Sequence, residues 1–321
     1  MKRMVLLVAA AALLAGCSKR QVPAVGPLRE ITVASDQWGA VESIVRATLQ
    51  QRLPMPQPEV EFKLRVFGLG EYARYSLLRT LLMVGTSSDS VIRAVLGPRA
   101  DSLPGGDWGM FQVPNAWARN QRLVVFVARD EDRLVPGLVA YGPRLRQTCR
   151  EAVLDHSARA VYYRGLNNRA GDSLRERHSF GIDVPRSWWL RQDQSDSNFV
   201  YLYGHHPDRN VFVYWEDRER PLDPDALYRL RDSLGVRFYD GDITADTLRW
   251  HSTIEFLGGP CLRLAGIWEN EESTIGGPFV SYAFNHEGRF YLLDGLVFNP
   301  GRDKLDGLFQ AEAVMRTFAP R

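Results

Sequence analysis

The sequence is poor in lysine, in cysteine and in excess charge. Lysine accounts for only four of its 40 basic residues, three cysteines occur in 321 residues, and 38 acidic side chains leave a formal net charge of +2. Proteins that bind nucleic acid, or that lie on anionic lipid through their side chains, need a basic excess. A single long apolar run, near the N-terminus, also argues against a multi-pass membrane protein. The composition therefore excludes all three classes.

The amino-acid composition is that of a globular chain. Hydrophobic residues make up 45%, aromatic residues 11% and charged residues 24%, which is enough apolar material for a sizeable core. The sequence contains no internal repeat and no low-complexity tract. Collagen-like, coiled-coil and wholly disordered chains are excluded, and the length indicates one large domain or two ordinary ones.

The N-terminus has the features of a secretory leader. Lys2 and Arg3 precede an apolar stretch, residues 4–15, which is too short for a membrane span because a spanning helix needs roughly 20 apolar residues. The stretch runs into LAGC at 14–17, which resembles the lipobox of bacterial lipoproteins. It predicts attachment of a diacylglyceryl group to the Cys17 thiol. An ordinary signal peptide followed by a chance cysteine is the alternative.

Acylation of Cys17 would anchor the mature protein in the envelope of a diderm bacterium. Each buried methylene contributes about 0.8 kcal/mol, so two or three acyl chains hold a protein durably on a membrane. Ser18 follows the cysteine where the inner-membrane retention rule favours Asp, so the outer membrane, facing the periplasm, is the expected location. The signal peptide would be residues 1–16 and a polar linker residues 17–28. Cleavage removes two basic residues, which leaves 38 basic against 38 acidic side chains.

The first half of the mature chain, residues 29–168, has an α/β pattern. Residues 97–120 are rich in glycine and proline and are predicted to form a long loop. Strands are predicted from short apolar runs at 31–34, 59–67, 81–84 and 123–128. Helices are predicted from Asp36 as N-cap, at 71–79, and over 131–165 with breaks near Pro136 and Pro143. This alternation is typical of α/β folds.

The second half, residues 178–321, is rich in strands and follows a polar break at 167–178, which we interpret as the domain boundary. A hairpin loop is predicted at 285–288, with Gly288 at positive φ. Strands are predicted at 180–185, 199–203, 211–215, 248–256, 261–268, 279–284 and 289–298. Helices are predicted at 224–234 and 305–318. The chain is thus expected to be α+β, with an α/β N-terminal half and a C-terminal antiparallel sheet closed by a helix.

Two cysteines remain after the lipobox, Cys149 in a predicted helix and Cys261 in a predicted strand. An oxidising envelope permits a disulfide, and closing so long a loop would contribute about 4–5 kcal/mol in the chain-entropy model. Nothing in the sequence indicates that they meet. Two separately buried thiols are the expected state, and a disulfide is the alternative.

A resemblance to a known family rests on residues 182–191 (IDVPRSWWLR) and 276–299 (GGPFVSYAFNHEGRFYLLDGLVFN), with Arg263 and Trp268 ahead of the second segment. These segments resemble Bacteroidetes-type envelope lipoproteins that are grouped as a domain of unknown function. The resemblance covers most of residues 29–318 and implies a lipoprotein without an assigned activity, so it supplies no catalytic residue. The second half is also similar to the PsbP and Mog1 type of α/β sandwich, a likeness of fold alone.

One loop carries a candidate binding site. Glu269, Glu271 and Glu272 lie in the loop 269–277 between two aromatic-rich strands, and Arg263 precedes them on the first strand. Paired carboxylates at a suitable separation could perform acid–base chemistry on a glycan. A solvated acidic loop is the plainer interpretation. These four residues are the candidate binding-site residues of the sequence.

Motifs for metals, cofactors and nucleophiles are missing. His205 and His206 form the one histidine cluster, which we interpret as a solvated loop because adjacent strand residues point to opposite faces. The sequence has no nucleophile elbow, Ser-x-x-Lys or His-Glu-x-x-His motif. No cofactor, metal or catalytic residue is therefore expected.

The sequence as a whole predicts a lipid-anchored envelope lipoprotein that acts by binding, scaffolding or assembly with an unidentified envelope protein partner. An envelope hydrolase that uses the carboxylates of the 269–277 loop is one alternative, and a carrier of a small hydrophobic ligand is another. Carboxylates that converge in a cleft would favour the hydrolase. A deep apolar cavity would favour the carrier, and an exposed flat aromatic patch the binding protein.

Overall fold

The computed structural model describes residues 21–53, 55, 57–178, 180–239 and 241–320, so the predicted signal peptide and Cys17 lie outside the described residues. The chain folds into two compact units. Of the described residues, unit 1 holds 21–27, Ile31–Ala40 and Arg65–Gly137, and unit 2 holds Leu28–Glu30, Val41–Leu64 and those from Leu138 onward. The chain therefore passes between the units several times, and the break at 167–178 lies within unit 2.

Unit 1 is built on a five-stranded sheet with the order β4-β1-β5-β7-β6. Pairing of β5 with both β1 and β7 is parallel, and pairing of β6 with β7 is antiparallel. The predicted α/β character of the N-terminal half is confirmed. The elements up to β7 are β1 (Glu30–Ala34), α1 (Trp38–Leu49), β2 (Arg52–Leu53), β3 (Glu59–Val60), β4 (Lys63–Phe67), α2 (Tyr72–Tyr75), β5 (Thr80–Thr86), α3 (Ser90–Leu96), β6 (Trp108–Pro114) and β7 (Arg122–Ala128).

Unit 2 is built on a seven-stranded sheet with the order β12-β13-β14-β15-β11-β10-β9, in which every neighbouring pair is antiparallel. The predicted antiparallel sheet with a closing helix is confirmed. The remaining elements are α4 (Leu134–Val161), α5 (Asn168–Arg177), β8 (Phe180–Gly181), β9 (Trp188–Gln194), β10 (Phe199–Gly204), β11 (Asp208–Glu216), α6 (Pro224–Phe238), β12 (Ile243–Phe256), β13 (Gly259–Asn270), β14 (Ile275–His286), β15 (Arg289–Phe298), α7 (Leu305–Met315) and β16 (Ala319–Pro320).

Both faces of the seven-stranded sheet are apolar, and each packs against its own helix. Along a strand, alternate residues point to opposite faces, so Tyr201 packs in the cluster with Leu227 and Leu234 of α6. Its neighbour Leu202 belongs to the cluster with Leu308 of α7. The sheet is therefore the middle layer of unit 2.

Helix ends in unit 2 are fixed by carboxylates. Asp223 precedes α6 and its side chain accepts the N–H of Ala226 at 2.8 Å, which confirms the predicted helix start. At α7, Glu59 from a distant part of the chain accepts the backbone N–H groups of Lys304 and Leu305 at 2.6 and 3.2 Å. A carboxylate at this end satisfies free N–H groups and complements the positive end of the helix dipole.

Several predicted elements of the first half are wrong. Helix α1 begins at Trp38, so Gln37 and not Asp36 directly precedes it, and the Asp36 carboxylate accepts the N–H of Leu69 at 2.8 Å. The predicted loop at 97–120 contains β6, and the helix predicted to break at its prolines is continuous through α4.

The turn at 285–288 and the two cysteines agree with expectation. Glu287 and Gly288 both adopt positive φ, 49° and 78°, between the paired strands β14 and β15. Cys149 and Cys261 are free and buried. Burial raises the pKa of each thiol to about 12.

No helix in the described part of the chain is both long enough and apolar enough to cross a membrane.

Candidate functional site

A cleft lies on the α6 face of the seven-stranded sheet, beside the C-terminal end of α6. Its volume is about 560 Å³, within the range of small-molecule sites. The floor comes from β9, β10, β11, β13 and β15, and one wall comes from Phe238 and Tyr239 at the end of α6. We refer to it below as the α6 cleft.

Strand register brings the floor residues together. Tyr203 on β10 pairs with Asn210 on β11, which in turn pairs with Leu296 on β15. Tyr201 pairs with Gln192 on β9. Directly paired residues of an antiparallel sheet project from the same face, so all five side chains line the cleft.

The wall of the cleft depends on a close approach at Gly235. A Cβ added to this residue would lie 1.8 Å from the carbonyl oxygen of Asp242, so only glycine fits. The Tyr239 N–H donates to the carbonyl of Gly235 at 2.8 Å, and its ring packs 4.8 Å from that of Tyr201. These contacts hold Tyr239 over the sheet.

Four buried polar atoms around the α6 cleft have no hydrogen-bond partner among the described residues: Gln192 Oε1, Asn210 Oδ1, Tyr239 OH and Trp268 Nε1. Asn210 is 8% exposed and Trp268 is 2% exposed. Each unpaired buried polar group costs about 1–3 kcal/mol. Other buried polar atoms of the described residues, such as Trp188 Nε1 and Thr80 Oγ1, also have no hydrogen-bond partner, but four gather around this one cleft, where a ligand would supply the missing partners.

Other polar groups of the cleft are engaged. Asn270 donates from Nδ2 to Asp242 at 2.9 Å, and its Oδ1 accepts from the Ser273 hydroxyl at 2.8 Å. Asp208 contacts the ring of His205, and the Tyr203 hydroxyl lies 2.9 Å from Nδ1 of the same ring. Burial and the hydrogen bond to Asp208 raise the pKa of Tyr203 to about 12. Both carboxylates of the cleft thus have partners.

The histidine pair lies in the turn between β10 and β11, at the edge of the cleft. The rings of His205 and His206 are 3.8 Å apart, so the turn brings them together where a strand would have separated them. Among the described residues, no group of three or more His, Cys, Asp or Glu side chains could hold a metal ion.

Residues 167–317 match the family model DUF4837, a domain of unknown function. The predicted resemblance to such a domain is confirmed for this segment, whereas the lipoprotein type and the PsbP and Mog1 likeness stay predictions. All residues that line the α6 cleft lie in the DUF4837 segment.

No curated protein matches the sequence. Two solved structures are similar over 44% of this chain. One is a crystal structure from Bacteroides thetaiotaomicron, with 12% identity and a TM-score of 0.29 over 45% of that chain. The other is LpqN, described as involved in cell envelope biogenesis of Mycobacterium tuberculosis, with 14% identity and a TM-score of 0.28 over 83% of that chain. The match thus spans less than half of the Bacteroides chain.

The structure separates the candidate residues of the 269–277 loop. Glu269, Glu271 and Glu272 are exposed. Arg263 lies six residues before Glu269, roughly 20 Å along the strand, and donates from Nε to Glu312 at 3.1 Å. The loop does border the α6 cleft, but through other side chains: Asn270, Ser273 and Ile275. Trp268 and Asn270 lie two residues apart on β13 and therefore project from its cleft-facing side. The alternation of faces along a strand is the sequence signal that could have indicated them.

A second cavity in unit 2, of about 650 Å³, contains a cluster of buried ion pairs. Glu312 accepts from Arg150, from Arg263 and from the Tyr282 hydroxyl at 2.9 Å. Glu61 accepts from Arg150 Nη1 at 3.1 Å. Within the described part of the chain, none of these side chains has an unpartnered buried polar atom. The α6 cleft is therefore the better candidate for a ligand site.

Proposed function

We propose that this protein is a lipid-anchored binding protein of the bacterial envelope, which holds a small ligand in the α6 cleft of its DUF4837 segment. The observation that carries the proposal is the set of four unpartnered buried polar atoms around one cleft. A ligand that pairs with these atoms would recover part of the desolvation cost that the empty cleft carries.

Anchoring in the envelope is supported by the N-terminal sequence. The basic residues Lys2 and Arg3, the short apolar run and the LAGC motif with Cys17 together form a lipoprotein leader. Ser18 favours the outer membrane, with the folded units facing the periplasm. Acylation would place the α6 cleft where it meets envelope components or an envelope protein partner.

Binding without catalysis is supported by the state of the cleft's carboxylates. Asp242 is held by Asn270, and Asp208 is held by His205. Acid–base hydrolysis of a glycan uses two carboxyl groups that face the bond to be cleaved, whereas each carboxylate of the α6 cleft contacts a neighbouring side chain. A carrier of an apolar ligand is also less favoured, because such a ligand would leave Asn210 and Trp268 unpaired.

The binding function is tested by thermal unfolding of the full chain in detergent with an extract of the envelope. We expect the extract to raise the unfolding temperature of the wild type, because a ligand that binds only the folded state stabilises it. The double variant Trp268→Phe/Tyr239→Phe should show a much smaller rise. Trp188→Phe/Tyr228→Phe, with two buried aromatic residues outside the cleft, is the matched control. No rise with any extract fraction would contradict the proposal.

The lipid anchor is tested separately. We expect mass spectrometry of the wild type to show a diacylglyceryl group on an N-terminal Cys17, and the protein to remain with the outer-membrane fraction. Cys17→Ser should be unacylated and should leave that fraction. An unmodified Cys17 in the mature wild type would overturn the anchor.

A further inference from the structure

We infer that the ligand of the α6 cleft is an uncharged saccharide, which pairs its hydroxyl groups with the unpartnered polar atoms and packs its C–H faces on the aromatic lining. The inference rests on the proposed binding function and names the ligand class for the same cleft.

The unpartnered atoms require a ligand that both donates and accepts. Trp268 Nε1 is only a donor, the amide oxygens of Asn210 and Gln192 are only acceptors, and the Tyr239 hydroxyl is both. A hydroxyl group donates one hydrogen bond and accepts two, so a polyol serves all four atoms. A phosphate or carboxylate ligand accepts only, and it would leave the two amide oxygens unpaired. An ammonium ligand donates only, and it would leave the indole N–H unpaired.

The charge of the lining disfavours an anion. Among the described residues, the cleft is lined by two carboxylates, Asp208 and Asp242, and by one cation, Arg191, which is exposed and lies over the ring of Tyr203 at 5.5 Å. The lining therefore carries a formal charge of −1. An acidic sugar or a phosphate ester would be repelled by this lining, whereas a neutral sugar would not.

Aromatic rings of the cleft provide surfaces on which a sugar ring packs. Tyr203, Phe238, Tyr239 and Phe298 are partly buried and line the cleft. An aromatic face is the negative end of a quadrupole, so it attracts the weakly positive C–H bonds on one side of a sugar ring. A sugar ring carries such a C–H face together with a hydroxyl edge. The cleft offers partners for both.

The ligand class is tested with three portions of one envelope extract and the thermal unfolding of the full chain. The first portion is untreated. The second is treated with periodate, which cleaves carbon–carbon bonds between vicinal hydroxyl groups and so destroys most sugars, and the reagent is then removed. The third is passed over an anion exchanger, which retains acidic components. Buffers contain no glycerol, because glycerol presents the same hydroxyl groups.

We expect the untreated portion to raise the unfolding temperature, the periodate-treated portion to have lost this effect, and the flow-through of the anion exchanger to retain it. A rise that survives periodate, or one found only in the retained acidic fraction, would overturn the saccharide and leave the binding function standing. No rise with the untreated extract would contradict the binding function itself.

Variants locate the sugar in the cleft. With a neutral sugar purified from the flow-through, calorimetry of Tyr239→Phe should show affinity roughly tenfold weaker, because one hydrogen bond is lost while the ring remains. Trp268→Phe should show a similar loss of affinity. If Trp268→Phe does not fold, the result for Tyr239→Phe alone decides whether the sugar binds in the cleft. Tyr228→Phe removes a hydroxyl that donates to the carbonyl of Trp250 and should bind as the wild type does. Equal losses in Tyr228→Phe and Tyr239→Phe would overturn the assignment to the cleft.

Discussion

At the scale of single residues, Glu312 shows how unit 2 tolerates buried charge. Burial alone would raise the pKa of this carboxyl, but Arg150 and Arg263 more than offset that effect and hold the pKa well below its ordinary value of 4.5. The hydroxyl of Tyr282 donates to the same carboxylate. An ion pair of this kind is weak evidence of a net gain over an apolar core, but the loss of one partner leaves the others unpaired.

Glu312→Gln is expected to lower the free energy of unfolding by about 3 kcal/mol, because Arg263 loses its counter-charge and Arg150 loses one of its two carboxylate partners. Urea denaturation at neutral pH measures the change. Glu255→Gln, at an exposed carboxylate of the same cavity, is the control and should change stability by less than about 0.5 kcal/mol. Equal effects of the two substitutions would contradict the role of the buried cluster.

The lowered pKa of Glu312 also predicts how the stability of the protein changes at acidic pH. The folded-state pKa of Glu312 is lowered, so its contribution is fully present above its unfolded pKa, near 4.5, and is lost as the pH falls below that value. We expect the stability difference between wild type and Glu312→Gln to shrink on acidification from pH 6 to about pH 3. A difference that grows over this range would contradict the assigned direction.

The two thiols give a further test at this scale. Burial raises the pKa of Cys149 and Cys261 to about 12, so both are protonated at neutral pH and shielded from reagents. We expect Ellman's reagent to label the native protein slowly and to label two thiols per chain in denaturant, since an acylated Cys17 has no thiol. Rapid labelling of native protein would contradict the burial.

At the scale of elements, the sequence was most informative where one local rule decides the structure. Gly288 follows the rule for a two-residue hairpin, and Asp223 with Pro224 follows the rule for a helix start. These local rules gave wrong predictions where the structure of a segment depends on the elements that pair with it. β6 begins near glycines and ends at Pro114, yet it pairs with β7 along its whole length as an edge strand, where proline is tolerated.

Helix α4 continues through two prolines for separate reasons. Pro136 lies in the first turn, where backbone N–H groups have no helical partner in any case. Pro143 lies in the interior and removes one helical hydrogen bond, to the carbonyl of Val139. Val139 is exposed, so water can serve that carbonyl. Exposure of one residue is not readable from sequence periodicity, and this is why the break was wrongly predicted.

Gly235 in α6 and Gly39 in α1 provide a matched pair of helical glycines. Gly235→Ala is expected to cost about 2 kcal/mol and to weaken ligand binding, because the new methyl group would displace the backbone of Asp242. Gly39→Ala meets no atom within 4 Å and should stabilise the protein slightly through its higher helix propensity. Chemical denaturation measures both. A neutral Gly235→Ala would contradict the close approach.

At the scale of the whole molecule, the balance of charge gives a test of the proposed lipid anchor. The sequence after residue 16 carries 38 basic and 38 acidic side chains, so we expect membrane attachment to survive washing in high salt. Attachment through basic patches would be screened under the same conditions. Fractionation of the wild type after a high-salt wash measures this, and the Cys17→Ser variant is the reference for complete release. Release of the wild type by salt would contradict anchoring by acyl chains.

The sequence predicted the fold class at this scale, but only part of the candidate site. It drew attention to the 269–277 loop, and the loop does border the α6 cleft. It selected the glutamates of that loop because charge is visible in a sequence, whereas the unpartnered state of Asn210 and Trp268 depends on what packs around them. Burial without a partner is a property of the folded chain and has no local sequence signature.

The hydrogen bonds from the start of α7 to the Glu59 carboxylate limit how far the chain can be shortened. The DUF4837 match begins at residue 167, but Glu59 and Arg150, which hold α7 and Glu312, are encoded well upstream. A fragment that begins at residue 167 would leave the N-terminus of α7 without the Glu59 carboxylate. It would also leave Glu312 without Arg150, one of its two cations. We expect such a fragment to aggregate on expression, and to be recovered in folded form when residues 41–64 and 138–166 are retained. We therefore expect the segment that folds to be longer than the segment that the family model matches.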